Sequence, residues 1–270
     1  MIDVSLLVPA IRTDRWEAFY NSALKACKRY KFEIVFISPF DLPSNLKDKP
    51  EIKLIKDFGS PSRATSIGVE SCEGEFLYNC VDDGVFFEDC IDVALDYFKE
   101  HCRSIDLINM RYRESTNADR TEFPLSYWDA WPNGLAFPGV RSDWKIALHF
   151  FIKRDYYNFL GGLDCQFEYV NHGVHDLVFR AQAKGSAVHM SPIEGLNCTH
   201  YEGTSADHAP IHNAQLSHDE PLFRRLYSDS QASYRDPASM VKWTDCPDVW
   251  ERRFSGGVPK TYEEMLNVKS

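Results

Sequence analysis

Asp82 and Asp83 are adjacent carboxylates that close the apolar run Phe76 to Val81 and precede Gly84. In an open α/β sheet, ligands bind beyond the carboxyl ends of the strands. Two carboxylates side by side at such a place repel each other unless a cation or hydrogen-bond donors offset them. A hard divalent cation such as Mg2+ takes oxygens of this kind, usually together with bound phosphates. The plainer alternative is an acidic turn that caps the following helix. A second candidate, Asp176, lies beside His175 and near His172. Near a metal it would deprotonate a hydroxyl; at a helix start it would pair with Arg180, four residues on. Arg63 follows the turn Gly59-Ser60-Pro61-Ser62, where a positive charge near a helix N-terminus suits a phosphate. The alternative there is a solvated surface arginine.

Histidines invite a metal reading of another kind. Seven of the nine fall between 172 and 218, and His172-x-x-His175 and His208-x-x-x-His212 have chelating spacings. The His-Glu-x-x-His pattern of metalloproteases is absent, as are Gly-x-Gly-x-x-Gly, the Gly-x-x-x-x-Gly-Lys-Ser/Thr phosphate loop and the Gly-x-Ser-x-Gly nucleophile elbow. The eight cysteines form no Cys-x-x-Cys pair, and several lie in apolar runs, which reads as buried reduced thiols rather than a disulfide framework.

These residues need elements to position them. Val4 to Val8, Phe32 to Ile37, Ile52 to Ile55, Phe76 to Val81 and Ile105 to Met110 read as strands. They are separated by helical patterns over Trp16 to Tyr30, from Ser62 through Ile67, and over Ile91 to Cys102. Asp14 and Glu17 have capping-box spacing. Strand–helix alternation predicts a mostly parallel sheet with helices on its faces. From Arg111 to Lys145 the pattern breaks into prolines and the tryptophans Trp128, Trp131 and Trp144. It resumes with Ala147 to Ile152, a helix near Arg154 to Leu160 stopped by Gly161-Gly162, and a helix through Val174, Leu177, Val178 and Ala181 that ends near Gly185. Ser186 to Met190 is a further strand, with loops and short helices after Pro192.

The chain has 270 residues, 44% apolar and 14% aromatic, with 26% charged and a net charge of −10. A chain of this length can bury roughly 75% of its unfolded surface, and so many aromatics exclude a disordered solvating chain. The acidic balance opposes nucleic-acid binding, which rests on Lys and Arg neutralising phosphates. No run approaches the ~20 apolar residues of a membrane-spanning helix. Asp3 stands where a signal peptide would carry basic charge, and the apolar run ends at Pro9, so a cytoplasmic location is expected.

Taken together, four blocks resemble family 2 glycosyltransferases with a GT-A fold. They are Val4-Ser5-Leu6-Leu7-Val8-Pro9; Ser62-Arg63-Ala64-Thr65-Ser66-Ile67-Gly68, then Gly74-Glu75-Phe76-Leu77 and Val81-Asp82-Asp83-Gly84; Gly161-Gly162-Leu163-Asp164 with Phe167-Glu168; and His175-Asp176-Leu177 with Arg180 and Gly185. The resemblance spans residues 2 to 200. It implies a Rossmann-like α/β domain over 1–215, with a nucleotide-sugar half (1–110) and an acceptor half (111–215), and a loop-rich C-terminal extension (216–270) packed on it. It further implies a metal-dependent, inverting transfer from a nucleotide-diphospho-sugar, a UDP-sugar first, to a glycan or other hydroxyl acceptor. Pro9, Ala10 and Arg12 would lie near the donor's base, Arg63 near its base or diphosphate, and Asp82 on the ribose or metal side. Asp83 would bind Mn2+ or Mg2+, His200 would complete the metal site, and Asp176 would be the general base. The segment Tyr127 to Trp144 would offer aromatic faces to the acceptor.

Three positions depart from the family pattern. His175 replaces the usual Glu before the base. Ser38-Pro39-Phe40 replaces the usual acid at the end of the second strand, with Asp41 nearby. Asp-Asp-Gly replaces a longer Asp run. Two other functions fit the residues: a GT-A-like module that binds sugar nucleotides or glycans without transfer, and a zinc hydrolase built on the histidines.

Overall fold

A computed structural model describes residues 1–57, 59–115, 123–125, 128–199, 213–231 and 234–246. Its strands are β1 (Val4–Pro9), β2 (Phe32–Ser38), β3 (Ile52–Lys56), β4 (Phe76–Asn79), β5 (Gly84–Phe86), β6 (Leu107–Ser115), β7 (Phe123–Leu125), β8 (Phe150–Lys153) and β9 (Val188–Thr199). Its α-helices are α1 (Trp16–Ala26), α2 (Pro61–Ser71), α3 (Cys90–His101), α4 (Arg154–Phe159), α5 (Val170–Ala183) and α6 (Glu220–Leu226). All the strands belong to one sheet in the order β3-β2-β1-β4-β8-β6-β9-β5, with β7 paired to β6.

The strands β3, β2, β1 and β4 are mutually parallel, as the strand–helix alternation requires. Beyond β4 the sheet is mixed: β8 runs antiparallel to both β4 and β6, and β9 returns parallel to β6. β1 is central, and both its faces are covered. Leu6 and Val8 point into a layer built on α1 and α3, with Trp16, Phe19, Phe36, Phe76 and Phe98. Leu7 points the other way, to Val35, Leu77, Val174 and Leu177 beneath α2 and α5. This is the period-2 alternation of a strand buried on both sides. α2 starts cleanly because Pro61 opens its first turn and the Ser60 hydroxyl accepts the Arg63 amide at 3.3 Å.

Two local expectations change, and the structure adds one strand. α1 begins at Trp16 after Arg15, with no side-chain cap, so Asp14 and Glu17 do not form the capping box. β9 runs on past Pro192 to Thr199 because the β6–β9 register shifts around Asn109 and Arg111, and a bulge accommodates a proline that regular pairing would reject. β5, the three residues that follow the acidic pair, pairs antiparallel with the far end of β9 and is too short to show a periodicity. The glycine stops hold: Gly161, Gly162 and Gly185 all have positive φ. At Gly161 a Cβ would also collide with the Pro237 carbonyl.

A third core joins the C-terminal part to the domain. Phe223 and Tyr227 stack at 4.4 Å, and with Leu222 they pack on Phe167, Phe179 and Trp144. No helix among the described residues is long and apolar enough to cross a membrane. Truncating the buried Phe223 to Ala should lower unfolding stability by ~3–5 kcal/mol. Denaturant unfolding reads this directly; a loss under ~0.5 kcal/mol, typical of surface positions, would mean that α6 is not part of the core.

Candidate functional site at the carboxyl edge of the sheet

The residues that follow β1 and β4 meet at one edge. Asp82 is buried, and its Oδ2 accepts the amides of Ile11 at 2.7 Å and Arg12 at 2.6 Å, together with the Trp16 indole N–H at 3.2 Å. Its Oδ1 accepts the Arg12 guanidinium at 2.6 Å. The carboxylate thus clamps the β1–α1 turn to the end of β4. Asp83, also buried, stands 3.9 Å from the same guanidinium. Pro9, Ala10, Arg12, Asp82 and Asp83 are therefore brought together, with Ala10 anchored by its amide to the Ile37 carbonyl at 2.9 Å. The acidic turn is structural in part: Asp82 faces the loop rather than a ligand.

Arg63 is turned away from a free anion. Its Nε donates to Asp57 at 3.1 Å, its NH1 to the carbonyls of Trp243 at 2.6 Å and Cys246 at 2.8 Å, and its guanidinium lies 5.2 Å over the Trp243 ring. Two carbonyls of the C-terminal segment thus take the donors that the sequence reading offered to a phosphate. Sequence reasoning missed Asp57, which brings a carboxylate to this edge from the end of β3, whereas Asp41 pairs with Lys56 at an exposed position. A carboxylate six residues before an arginine carries no local signal.

Asp176 lies within α5, fully buried. Its Oδ2 accepts Arg180 Nε at 2.9 Å, and its Oδ1 accepts the Tyr227 hydroxyl at 2.7 Å and an Arg235 N–H. Arg235 also reaches the buried Asp164 at 2.5 Å, and Arg180 donates to the carbonyls of Leu160 and Gly162. Burial pushes the Asp176 carboxyl up, but the two guanidiniums outweigh it and hold it below the usual carboxylate range. The i+4 pairing with Arg180 is formed, and Asp176 as arranged does not reach solvent.

Desolvation keeps two nearby imidazoles neutral, His172 at about 4 and His175 at about 3. Their Nδ1 atoms are buried and lack hydrogen-bond partners. His200, His208 and His212 lie outside the described residues, as does Tyr127. Among the described residues no three metal-binding side chains converge, so they offer the zinc hydrolase no site. For a Mg2+-class ion the requirement is narrower: one protein carboxylate with diphosphate oxygens suffices, and at this edge Asp83, buried 3.9 Å from the Arg12 guanidinium, is the residue that would serve. The tryptophans divide: Trp144 is core, its ring tilted against Phe179 with centroids 5.4 Å apart, while Trp131 is exposed and donates to the Val140 carbonyl at 2.8 Å.

No protein-family description and no curated protein sequence matches the chain. Solved structures do. TarS residues 1–349 of S. aureus superimposes with a TM-score of 0.54 at 13% identity, over 73% of this chain and 60% of that one. TarS 1–349 in complex with UDP gives 0.54 at 12% over 84% and 70%, and in complex with UDP-GlcNAc 0.53 at 13% over 98% and 82%. The fold is GT-A-like. Identity this low establishes the fold alone, and the chain spans 60% of the TarS 1–349 chain in the first of these matches and 40% of a longer TarS chain.

Asp176→Asn should lower stability by ~3–5 kcal/mol, because it leaves two buried guanidiniums short of a counter-charge. The folded carboxyl lies below its unfolded value of ~3.9. Its contribution is therefore complete above that value and is lost as pH falls through the folded one. Thermal unfolding between about pH 2 and pH 6 should show wild type losing more stability toward acid than the variant. Parallel curves with equal midpoints would remove Asp176 from the ion network.

Proposed function

We propose that this chain is a glycosyltransferase that moves a sugar from a nucleotide-diphospho-sugar, with a UDP-sugar as donor, to a hydroxyl of a glycan or similar acceptor. The observation that carries this reading is the Asp82–Asp83 pair at the carboxyl end of β4 in a GT-A-like fold. TarS, which shares the architecture, has been captured with UDP and with UDP-GlcNAc. In this reading Pro9, Ala10 and Arg12 form the wall against the nucleoside, and the Asp82 clamp fixes their backbone before the donor arrives. Preorganisation of this kind spares the ordering cost on binding.

Asp83 would hold Mn2+ or Mg2+, with His200 as a second ligand. Bound there, the ion supplies Lewis-acid stabilisation of the departing diphosphate. The chain's own residues orient the acceptor hydroxyl against the anomeric carbon, and an in-line attack opposite the leaving group inverts that carbon. Asp176 we assign to holding α5 and the C-terminal segment rather than to taking the proton, because a carboxylate held below its usual range is a weak base. The sealing of Asp176 also supports a second reading, a GT-A-like module that binds the donor without transfer. All eight cysteines are free thiols, which suits a reducing compartment such as the cytoplasm.

Thermal shift with UDP, GDP, ADP and CDP, each with and without Mn2+, tests the donor site. UDP at ~100 times its dissociation constant should add about 2.7 kcal/mol, and the manganese-dependent part should vanish in Asp83→Ala. No shift with any nucleotide would refute the donor reading. A shift that Asp83→Ala leaves intact would remove Asp83 from the metal site.

A further inference from the structure

His218 and Asp219 form a dyad that the Asp82–Asp83 site does not use. Residues Gln215–Asp219 make a π-helical turn that leads into α6, a wide turn frequent at functional sites. Asp219 is fully buried. Its Oδ1 accepts the Glu168 amide at 3.0 Å and its Oδ2 the Tyr169 amide at 2.6 Å, so both oxygens cap the start of α5. Oδ1 also meets His218 Nδ1 at 2.8 Å. A carboxylate already accepting two backbone N–H groups is the acceptor here as well, so Nδ1 carries the proton and Nε2 keeps its lone pair. The His218 side chain is 37% exposed, and Nε2 stands 3.8 Å from Oε1 of the buried Glu168. That distance is too long for a hydrogen bond.

The dyad sits at the edge of the sheet that carries Asp82 and Asp83. α2 leaves the carboxyl edge after β3 and returns to the amino edge before β4, so its first turn lies at the carboxyl edge. There the Ser62 hydroxyl donates to the Tyr169 carbonyl at 3.4 Å, and Gly173 of α5 packs on Ser62. The start of α5, with the dyad bonded to it, therefore shares that edge. Among the described residues of α5, Asp176 is sealed by two arginines and a tyrosine, and His172 and His175 are desolvated with unpartnered Nδ1 atoms. His218 alone among these groups combines exposure with an orienting carboxylate.

We infer that His218, held by Asp219, takes the proton of the acceptor hydroxyl in the transfer. The inference rests on the glycosyltransferase reading. The hydroxyl proton passes to Nε2 as its oxygen bonds to the anomeric carbon. The bond from that carbon to the diphosphate oxygen breaks, and its electron pair leaves with the diphosphate. Glu168 then faces the imidazolium until the proton is released to water. Asp219 is a positioning residue: it fixes the tautomer and the ring plane.

The test uses UDP-GlcNAc as donor in Mn2+ and water as acceptor, so that no natural acceptor is needed, with donor binding measured separately by calorimetry. His218→Gln should bind the donor within about twofold of wild type and keep its melting temperature, while UDP release falls about 100-fold or more. Imidazole should restore part of the rate to His218→Ala. Nitrogen NMR of the wild type should show His218 as the Nδ1–H tautomer, and Asp219→Asn should lose that preference. Retained binding with His218→Gln turnover within about threefold of wild type would overturn this step alone. Absence of donor binding by the wild type would overturn the donor reading and this step with it. Where wild-type turnover is too slow to compare, the tautomer decides: Nδ1–H supports the step and Nε2–H overturns it.

Discussion

Asp176 and Arg180 form a buried ion pair on one helix face, and the second half of the molecule is arranged around it. Two buried carboxylates, Asp164 and Asp176, are matched by two guanidiniums, Arg180 and Arg235, so the cluster is formally neutral. Removing any one member strands a charge away from water, which costs several kcal/mol. Neutrality therefore ties three segments together: α5, the Gly161-Gly162 turn whose carbonyls Arg180 takes, and the C-terminal segment that brings Tyr227 and Arg235. The position of the start of α5, and with it Glu168, Tyr169 and the Asp219 cap, follows from that balance.

Another buried carboxylate works the same way across the sheet. Asp82 fixes a turn 70 residues earlier in the chain through two amides, an indole and a guanidinium. The clamp fixes the β1–α1 turn and places Arg12 where it also meets Asp83. Of the two adjacent carboxylates, one has become scaffold and the other stands at the edge where an α/β sheet binds its ligand. The same division separates Asp176, sealed as scaffold, from His218, whose side chain is 37% exposed.

What the sequence made legible was local. The apolar runs of β1, β2 and β4 and the helical periodicity of α1 and α3 are patterns within a dozen residues, and the structure reproduces them. The Asp176–Arg180 spacing named its own partner. The contacts that decide the roles of the site residues are long-range. Arg63 binds carbonyls 180 and 183 residues away, Arg235 reaches Asp176 across 59, and Asp219 caps an element 50 residues upstream. No spacing rule announces such pairs. β9 outruns its local pattern because Pro192 looks like a terminator, and only the bulge against β6 explains its passage. The capping box failed for a related reason: a three-residue spacing met the rule, but the helix begins two residues after Asp14.

The central claim is that a nucleotide diphosphate seats on the turn that Asp82 clamps. Backbone hydrogen exchange of the intact protein, with and without UDP in Mn2+, tests it most directly. Slowed exchange concentrated in residues 9–16 and 80–86 is the predicted result. UDP binding that leaves those amides unchanged and protects another part of the chain would contradict it.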